Sequence, residues 1–125
     1  MRAIILFILS LMSVVSFGQN TVEWDFKIEN EVFMAEASIA EGWHLYSQHI
    51  DNEIGPIPTS FQFDDNQNIK LIGTTNEPES LKEYDENFEG ELNFFKESVQ
   101  FNQKLIVSET TELKGFVTFM VCNDT

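Results

Sequence analysis

The sequence predicts an all-β protein, an antiparallel β-sandwich of short strands. Three observations carry this. Apolar and polar residues alternate with a period of two in several segments, as in strands with one wet face. Polar clusters rich in Asn, Asp and Gly separate those segments at regular intervals, the spacing of an all-β sandwich. Fourteen aromatic side chains lie beyond residue 18 and suit a sandwich core.

Val22 to Ile28 opens the pattern, with Val22, Trp24, Phe26 and Ile28 alternating against Glu23, Asp25 and Lys27. Glu29-Asn30-Glu31 is a short polar turn. Val32 to Ala40 continues as a second strand with Phe33, Ala35, Ala37 and Ile39 on one face. Gly42 breaks it, and Trp43 to Gln48 resumes as an extended aromatic segment. Gly55-Pro56-Ile57-Pro58 is a loop, because proline lacks an N–H donor and restricts the residue before it. Thr59 to Phe63 and Ile69 to Thr74 bracket Asp64-Asp65-Asn66-Gln67-Asn68, residues that bond their own backbone, so a hairpin is expected. Asn76 to Gly90 lacks periodicity, is acidic, and is expected to be a long surface loop. Phe94 to Val107 offers a strand pair or one bent strand with Val99, Phe101, Leu105 and Val107 inward. Leu113 to Cys122 closes the pattern, with Phe116 to Val121 as a half-buried strand.

Residues 1–18 stand outside the fold. Met1-Arg2 gives a short basic start, Ala3 to Phe17 is almost wholly apolar, and Ser16 and Gly18 put small residues where a signal peptidase reads. The apolar run is shorter than the ~20 residues of a spanning helix. A cleaved export signal over 1–18 is therefore expected, with one domain over 19–125, and no cysteine follows the run to carry a lipid. The formal net charge is −14, and losing Arg2 makes it more negative. Such a charge repels phosphate backbones and anionic bilayers, which argues against nucleic-acid binding and direct membrane binding. It leaves a solvated acidic surface or the steering of a basic partner.

Cys122 is the one cysteine. An odd cysteine in an exported protein implies an intermolecular bridge, a reactive free thiol, or a partner cysteine outside the sequence in view. The sequence stops at Cys122-Asn123-Asp124-Thr125, where a turn should begin, so a chain cut inside a functional loop is expected. On residue type alone a small buried hydrophobe is the commoner case, although the strand-end position beside polar Asn123 and Asp124 favours exposure, and a noncatalytic secreted β-sandwich binding module with a structural Cys122 stays open. His44, His49 and Cys122 supply nitrogen and sulfur donors, but their spacing is no zinc motif. No metal and no cofactor is expected.

Four segments occur in the order of one known module: Gly42 to Gln48 (GWHLYSQ), Gly55 to Thr59 (GPIPT), Tyr84 to Phe88 (YDENF) and Gly115 to Asp124 (GFVTFMVCND). They resemble the periplasmic N-terminal domain of the DsbD-type thiol:disulfide interchange proteins. The resemblance implies an immunoglobulin-like fold and a redox pair of cysteines. It also implies a place in protein-disulfide reduction, taking electrons from a transmembrane partner domain and passing them to exported thioredoxin-like proteins in the bacterial periplasm. Cys122 matches the first cysteine of that pair. A second usually follows within a few residues and engages the partner, and these residues end before it. Exchange proceeds through a mixed disulfide that a second thiol resolves, so the 125 residues alone are expected to be incompetent for a full cycle. Phe88 matches an aromatic that caps the disulfide from a loop, while by residue type alone it reads as an ordinary core phenylalanine, a reading that its polar setting from Glu83 to Gly90 weakens. Asp85 and Glu86 match acidic positions near the pair, while His44 and Tyr46 fall where polar aromatics stand beside it. Several members have Tyr where this chain has His44, which leaves that role open. Carboxylates beside a thiol favour its protonated form, and a charged histidine favours the thiolate.

Overall fold

The computed structural model describes residues 21–124 apart from Asn52 and Ile54; the expected export signal lies outside them. Ten strands and no helix make up the described chain, and every strand pair is antiparallel. The all-β sandwich foreseen from the alternation is what the chain forms.

In chain order, the alternating segments become β1 (Val22–Glu29), β2 (Val32–Ile39) and β3 (Trp43–Tyr46). β4 (Ser60–Phe63), β5 (Ile69–Asn76), β6 (Leu81–Asp85) and β7 (Gly90–Phe95) follow, then β8 (Ser98–Val107), β9 (Gly115–Thr118) and β10 (Val121–Asn123). One sheet runs β1-β2-β8-β5, the other β10-β3-β7-β6, and β4 pairs with β9 in a separate ribbon. Ala35, Ala37, Ile39, Val99 and Phe101 of the first sheet meet Leu45 and Phe95 of the second in one buried cluster. Phe33, Ala35, Ala37 and Ile39 do share the inward face of β2, since a pleated strand turns alternate side chains the same way.

Aromatic rings fill the space between the sheets. Trp24 packs against Phe26, Phe61, Phe101 and Phe119 at centroid distances of 5.4–6.0 Å. Phe101 is completely buried, and burying a side chain of this size stabilises the fold by roughly 1.5–3 kcal/mol. Asn30 and Glu31 have φ of 51° and 60°, the positive values a two-residue type I′ hairpin loop demands. The Glu31 carbonyl accepts from Leu105 N and its carboxylate from Val107 N, each at 2.9 Å, which ties the hairpin to the end of β8.

Three local expectations are corrected. The polar turn at residues 64–68 joins β4 and β5, but these do not pair: β4 pairs with β9 and β5 with β8. Turn chemistry reports that the chain reverses, and which strand lies alongside is decided by the cores that each face meets. Residues 76–90 contain a strand, β6, along the whole of which register is kept with β7 from Leu81↔Phe94 to Asp85↔Gly90. β6 is a sheet edge with four of its five residues exposed, so no buried face imprinted an apolar alternation on it. Finally, the strand foreseen over 116–121 breaks at Phe119-Met120, where the chain leaves β9 and joins the other sheet as β10. Residues 94–107 likewise divide between the sheets, at a turn where Glu97 has φ 70°.

Gln103 lies on the inward face of β8 between Phe101 and Leu105 and is buried. Its amide donates to the carbonyls of Ile72 at 3.1 Å and Lys104 at 3.0 Å, and its carbonyl accepts from Thr75 Oγ1 at 3.0 Å. These bonds supply partners where the β5–β8 register shifts between Ile72 and Asn76, so a polar side chain in the core is satisfied rather than orphaned.

Candidate functional site

The β10-β3-β7-β6 sheet has two working faces. Leu45, Phe95 and Val121 point to the main core. The residues of opposite parity, Tyr46, Leu92 and Phe94, build a second buried cluster on the other face, against which Ile50, Phe88, Met120 and Cys122 pack. Register explains the gathering. Cys122 lies opposite His44, Tyr46 opposite Phe94, and Asp85 opposite Gly90, so the period of two turns Cys122, His44, Tyr46, Leu92, Phe94 and Asp85 to one side.

Cys122 is a free cysteine of intermediate burial. Tyr46 beside it is fully buried, yet its hydroxyl is engaged: it donates to Asp85 Oδ2 at 2.8 Å and lies 3.2 Å from His44 Nε2. Burial above all, then the hydrogen bond to Asp85 and the neighbouring Cys122, pushes the Tyr46 hydroxyl well above the ordinary tyrosine range. It remains a proton donor throughout the physiological range.

Asp85 ends β6 and organises the turn after it. Its Oδ1 accepts from the backbone N–H of Asn87 at 2.8 Å and of Phe88 at 3.2 Å, the Asx-type bonding by which aspartate starts turns. Phe88 is thereby held against the cluster, its ring edge-on to Tyr46 with centroids 6.2 Å apart. The other side of the ring rests on Gly55, where a Cβ would come within 2.8 Å of Phe88 Cδ1 and where φ is +134°. Only glycine fits that approach.

On the far side, Asp124 clamps the segment after Cys122. Its Oδ1 lies 2.6 Å from His44 Nδ1 and its Oδ2 3.4 Å from Lys96 Nζ, while its backbone N–H donates to Gly42 O at 2.8 Å. The hydrogen bond from His44 and the positive charge of Lys96 hold the Asp124 carboxyl below its usual range. Lys96 Nζ also sits 5.9 Å from the centre of the Phe94 ring.

The structure thus brings five of the six residues singled out in the sequence to one face: Cys122, His44, Tyr46, Asp85 and Phe88. Glu86 is exposed in the turn and, among the described residues, adds no hydrogen bond to the network. Asp124, Lys96, Leu92, Phe94 and Gly55 complete the site and were not foreseen. For Leu92 and Phe94 the signal was present, since both keep one parity along β7. Among the described residues, no group of three or more His, Cys, Asp or Glu is gathered as a metal site would require.

These features define a class: an immunoglobulin-like β-sandwich that carries a half-buried thiol on the outer face of one sheet, beside an aromatic turn. The chain belongs to the family of the N-terminal domain of the thiol:disulfide interchange protein DsbD, whose model matches residues 13–125. The family's role is thiol:disulfide interchange. Among solved structures, the fold is similar to that of the Neisseria meningitidis DsbD N-terminal domain in the reduced form. That match has a TM-score of 0.63 and 13% identity, and covers 90% of this chain and 79% of the other. No match is found among curated proteins. Among the described residues no helix is long and apolar enough to cross a membrane.

Proposed function

We propose that this chain is a periplasmic electron-transfer module in which Cys122 is one thiol of a redox pair and Phe88 is its cap. It receives reducing equivalents from a transmembrane partner domain and delivers them to exported thioredoxin-like proteins. The residues before Gln19 act as the cleaved export signal, and 19–125 belong to the domain. The observation that carries this reading is the shared packing of Cys122 and Phe88 against Tyr46, Leu92 and Phe94 on a face outside the main core. A cysteine recruited only for packing has no need of a turn held over its neighbours by a dedicated carboxylate.

In the exchange, a thiolate attacks a disulfide sulfur, a mixed disulfide forms and the displaced sulfur leaves as a thiolate. A second thiol then attacks the mixed disulfide, leaving the module oxidised and the partner reduced by two electrons. Cys122 being the single cysteine of the 125 residues, they hold one half of that pair. By the resemblance the second thiol is the one that engages the partner and Cys122 is the one that resolves, so the test of this chain alone is whether Cys122 itself is open to exchange. The probe is a thioredoxin-like protein whose exposed active-site cysteine carries a chromogenic aryl thiol in disulfide linkage and whose second active-site cysteine is replaced by serine, so that it cannot release the aryl thiol itself. Attack by Cys122 releases the aryl thiol and leaves a stable protein–protein disulfide, and Cys122→Ser abolishes both. If the folded chain releases no aryl thiol while the unfolded chain does, Cys122 is a structural residue.

A further inference from the structure

The site contains a continuous chain of polar contacts that runs from the segment after Cys122 to the backbone of the Phe88 turn. It passes from Asp124 Oδ1 to His44 Nδ1, from His44 Nε2 to the Tyr46 hydroxyl, from that hydroxyl to Asp85 Oδ2, and from Asp85 Oδ1 to the N–H groups of Asn87 and Phe88. The protons in this chain can be counted. A carboxylate only accepts, so Asp85 takes the one proton of the Tyr46 hydroxyl, and that oxygen faces His44 as an acceptor. His44 Nε2 must then donate. Asp124 is also an acceptor, so Nδ1 must donate as well. All the bonds are made together only when the His44 ring carries both protons.

When the ring loses one proton, the short contact with the Asp124 carboxylate retains the proton on Nδ1, and Nε2 becomes an acceptor. The single Tyr46 proton is then contested by His44 Nε2 and Asp85 Oδ2. We propose that His44 is a positioning residue for the Phe88 turn: its protonation directs the Tyr46 hydroxyl to Asp85 and locks the turn, and its deprotonation competes for that hydroxyl and loosens it. The groups facing His44 are Cys122 and Asp124 from β10 and the residue after it, Tyr46 from β3, and Lys96 with the Phe94 ring from the end of β7 and its turn. Asp85 of β6 acts through Tyr46. The functional meaning, a cap on a redox thiol that closes in acid, rests on the proposed interchange role; the switch itself does not.

The test is a pH titration of the reduced chain by NMR, followed until the His44 ring resonances show that its charge has changed. The His44 ring resonances and the Asn87 and Phe88 amide resonances should move with a common midpoint. The protection factor of the Phe88 amide, its exchange rate corrected for the base-catalysed rise of unprotected amides with pH, should fall by about tenfold as the ring deprotonates, the ratio a hydrogen bond to a charged group is worth. His44→Gln should abolish the common movement, and His49→Gln, at an exposed position outside the network, should leave it intact. Turn amides that stay still while the His44 ring titrates, or that move equally in His44→Gln, overturn the proposal. If His44→Gln does not fold, the presence or absence of the common midpoint in the unsubstituted chain decides. Failure of the aryl-thiol release with co-titration intact would remove the interchange reading and keep the switch; the reverse pair of results would remove only the switch.

Discussion

The Tyr46 hydroxyl donates to Asp85 Oδ2 at 2.8 Å, joining the strand next to Cys122 to the start of the Phe88 turn across 39 residues of sequence. The bond closes the site from within. One carboxylate oxygen faces the buried phenol and the other holds the turn's backbone, so the Phe88 turn and the strand beside the thiol share a support.

Tyr46→Phe keeps the ring packing and removes that support. Asp85 Oδ2 and His44 Nε2 lose their common partner, at a cost of about 1–3 kcal/mol for polar groups left unpaired at a partly buried site. Urea unfolding should show a lower midpoint with an unchanged slope, and Cys122 should react faster with alkylating reagents. Unaltered stability and unaltered reactivity would mean that the bond carries nothing.

Phe88→Ala removes the proposed cap and leaves the cluster beneath it in place. Alkylation of Cys122 in the folded protein should accelerate severalfold, with less effect on global stability than Tyr46→Phe. A rate equal to that of the unsubstituted chain would show that Phe88 shields nothing.

Gly55→Ala should resemble Phe88→Ala from the opposite side. The new Cβ would stand 2.8 Å from Phe88 Cδ1, on a backbone at φ +134° that L-residues rarely adopt. Displacing the ring is the easier relaxation. Faster alkylation of Cys122 is expected, and a Cys122 as slow as in the unsubstituted chain would separate Gly55 from the cap.

The pH dependence of stability has two signed components. The Tyr46 hydroxyl is raised from 10.0 in the fold, so its contribution is full below about pH 10 and declines as pH rises beyond that, where the unfolded chain ionises first. The Asp124 carboxyl is lowered from 3.8, so its contribution is present above that value and is lost as pH falls through the folded value. Tyr46→Phe should flatten the alkaline limb and Asp124→Asn the acid limb, as measured by thermal unfolding across pH. An alkaline limb that persists in Tyr46→Phe would assign it to another group.

Sequence and structure agree most where one strand face is buried. β1 and β2 were legible because Trp24, Phe26, Ala35 and Ala37 write the core into a period of two. β6 was illegible because an exposed edge strand is selected for solubility, and its polar residues give no alternation. The change of sheet at Phe119-Met120 was illegible for another reason: both halves of the segment bury alternate residues, but in different clusters, Phe119 in the main core and Met120 at the thiol face. At the site, Cys122, Tyr46, Asp85 and Phe88 were marked by their residue types and their resemblance to a known module. Lys96 was not, and Asp124, though it closes the last of the module's segments, had no role assigned, since an exposed charge has no pattern until the register of β10 against β3 places His44 opposite Cys122.

The central claim is that Cys122 is a redox thiol shielded until a partner docks. Its most direct test compares the rates at which the folded, reduced chain attacks two disulfides of the same aryl thiol, one on a thioredoxin-like protein and one on a small molecule. If a docked partner displaces the Phe88 turn and a small molecule does not, the protein disulfide should react faster, and Phe88→Ala should narrow the gap by accelerating the small-molecule reaction alone. Equal rates in the unsubstituted chain, or no reaction with either disulfide until the protein is unfolded, would contradict the account.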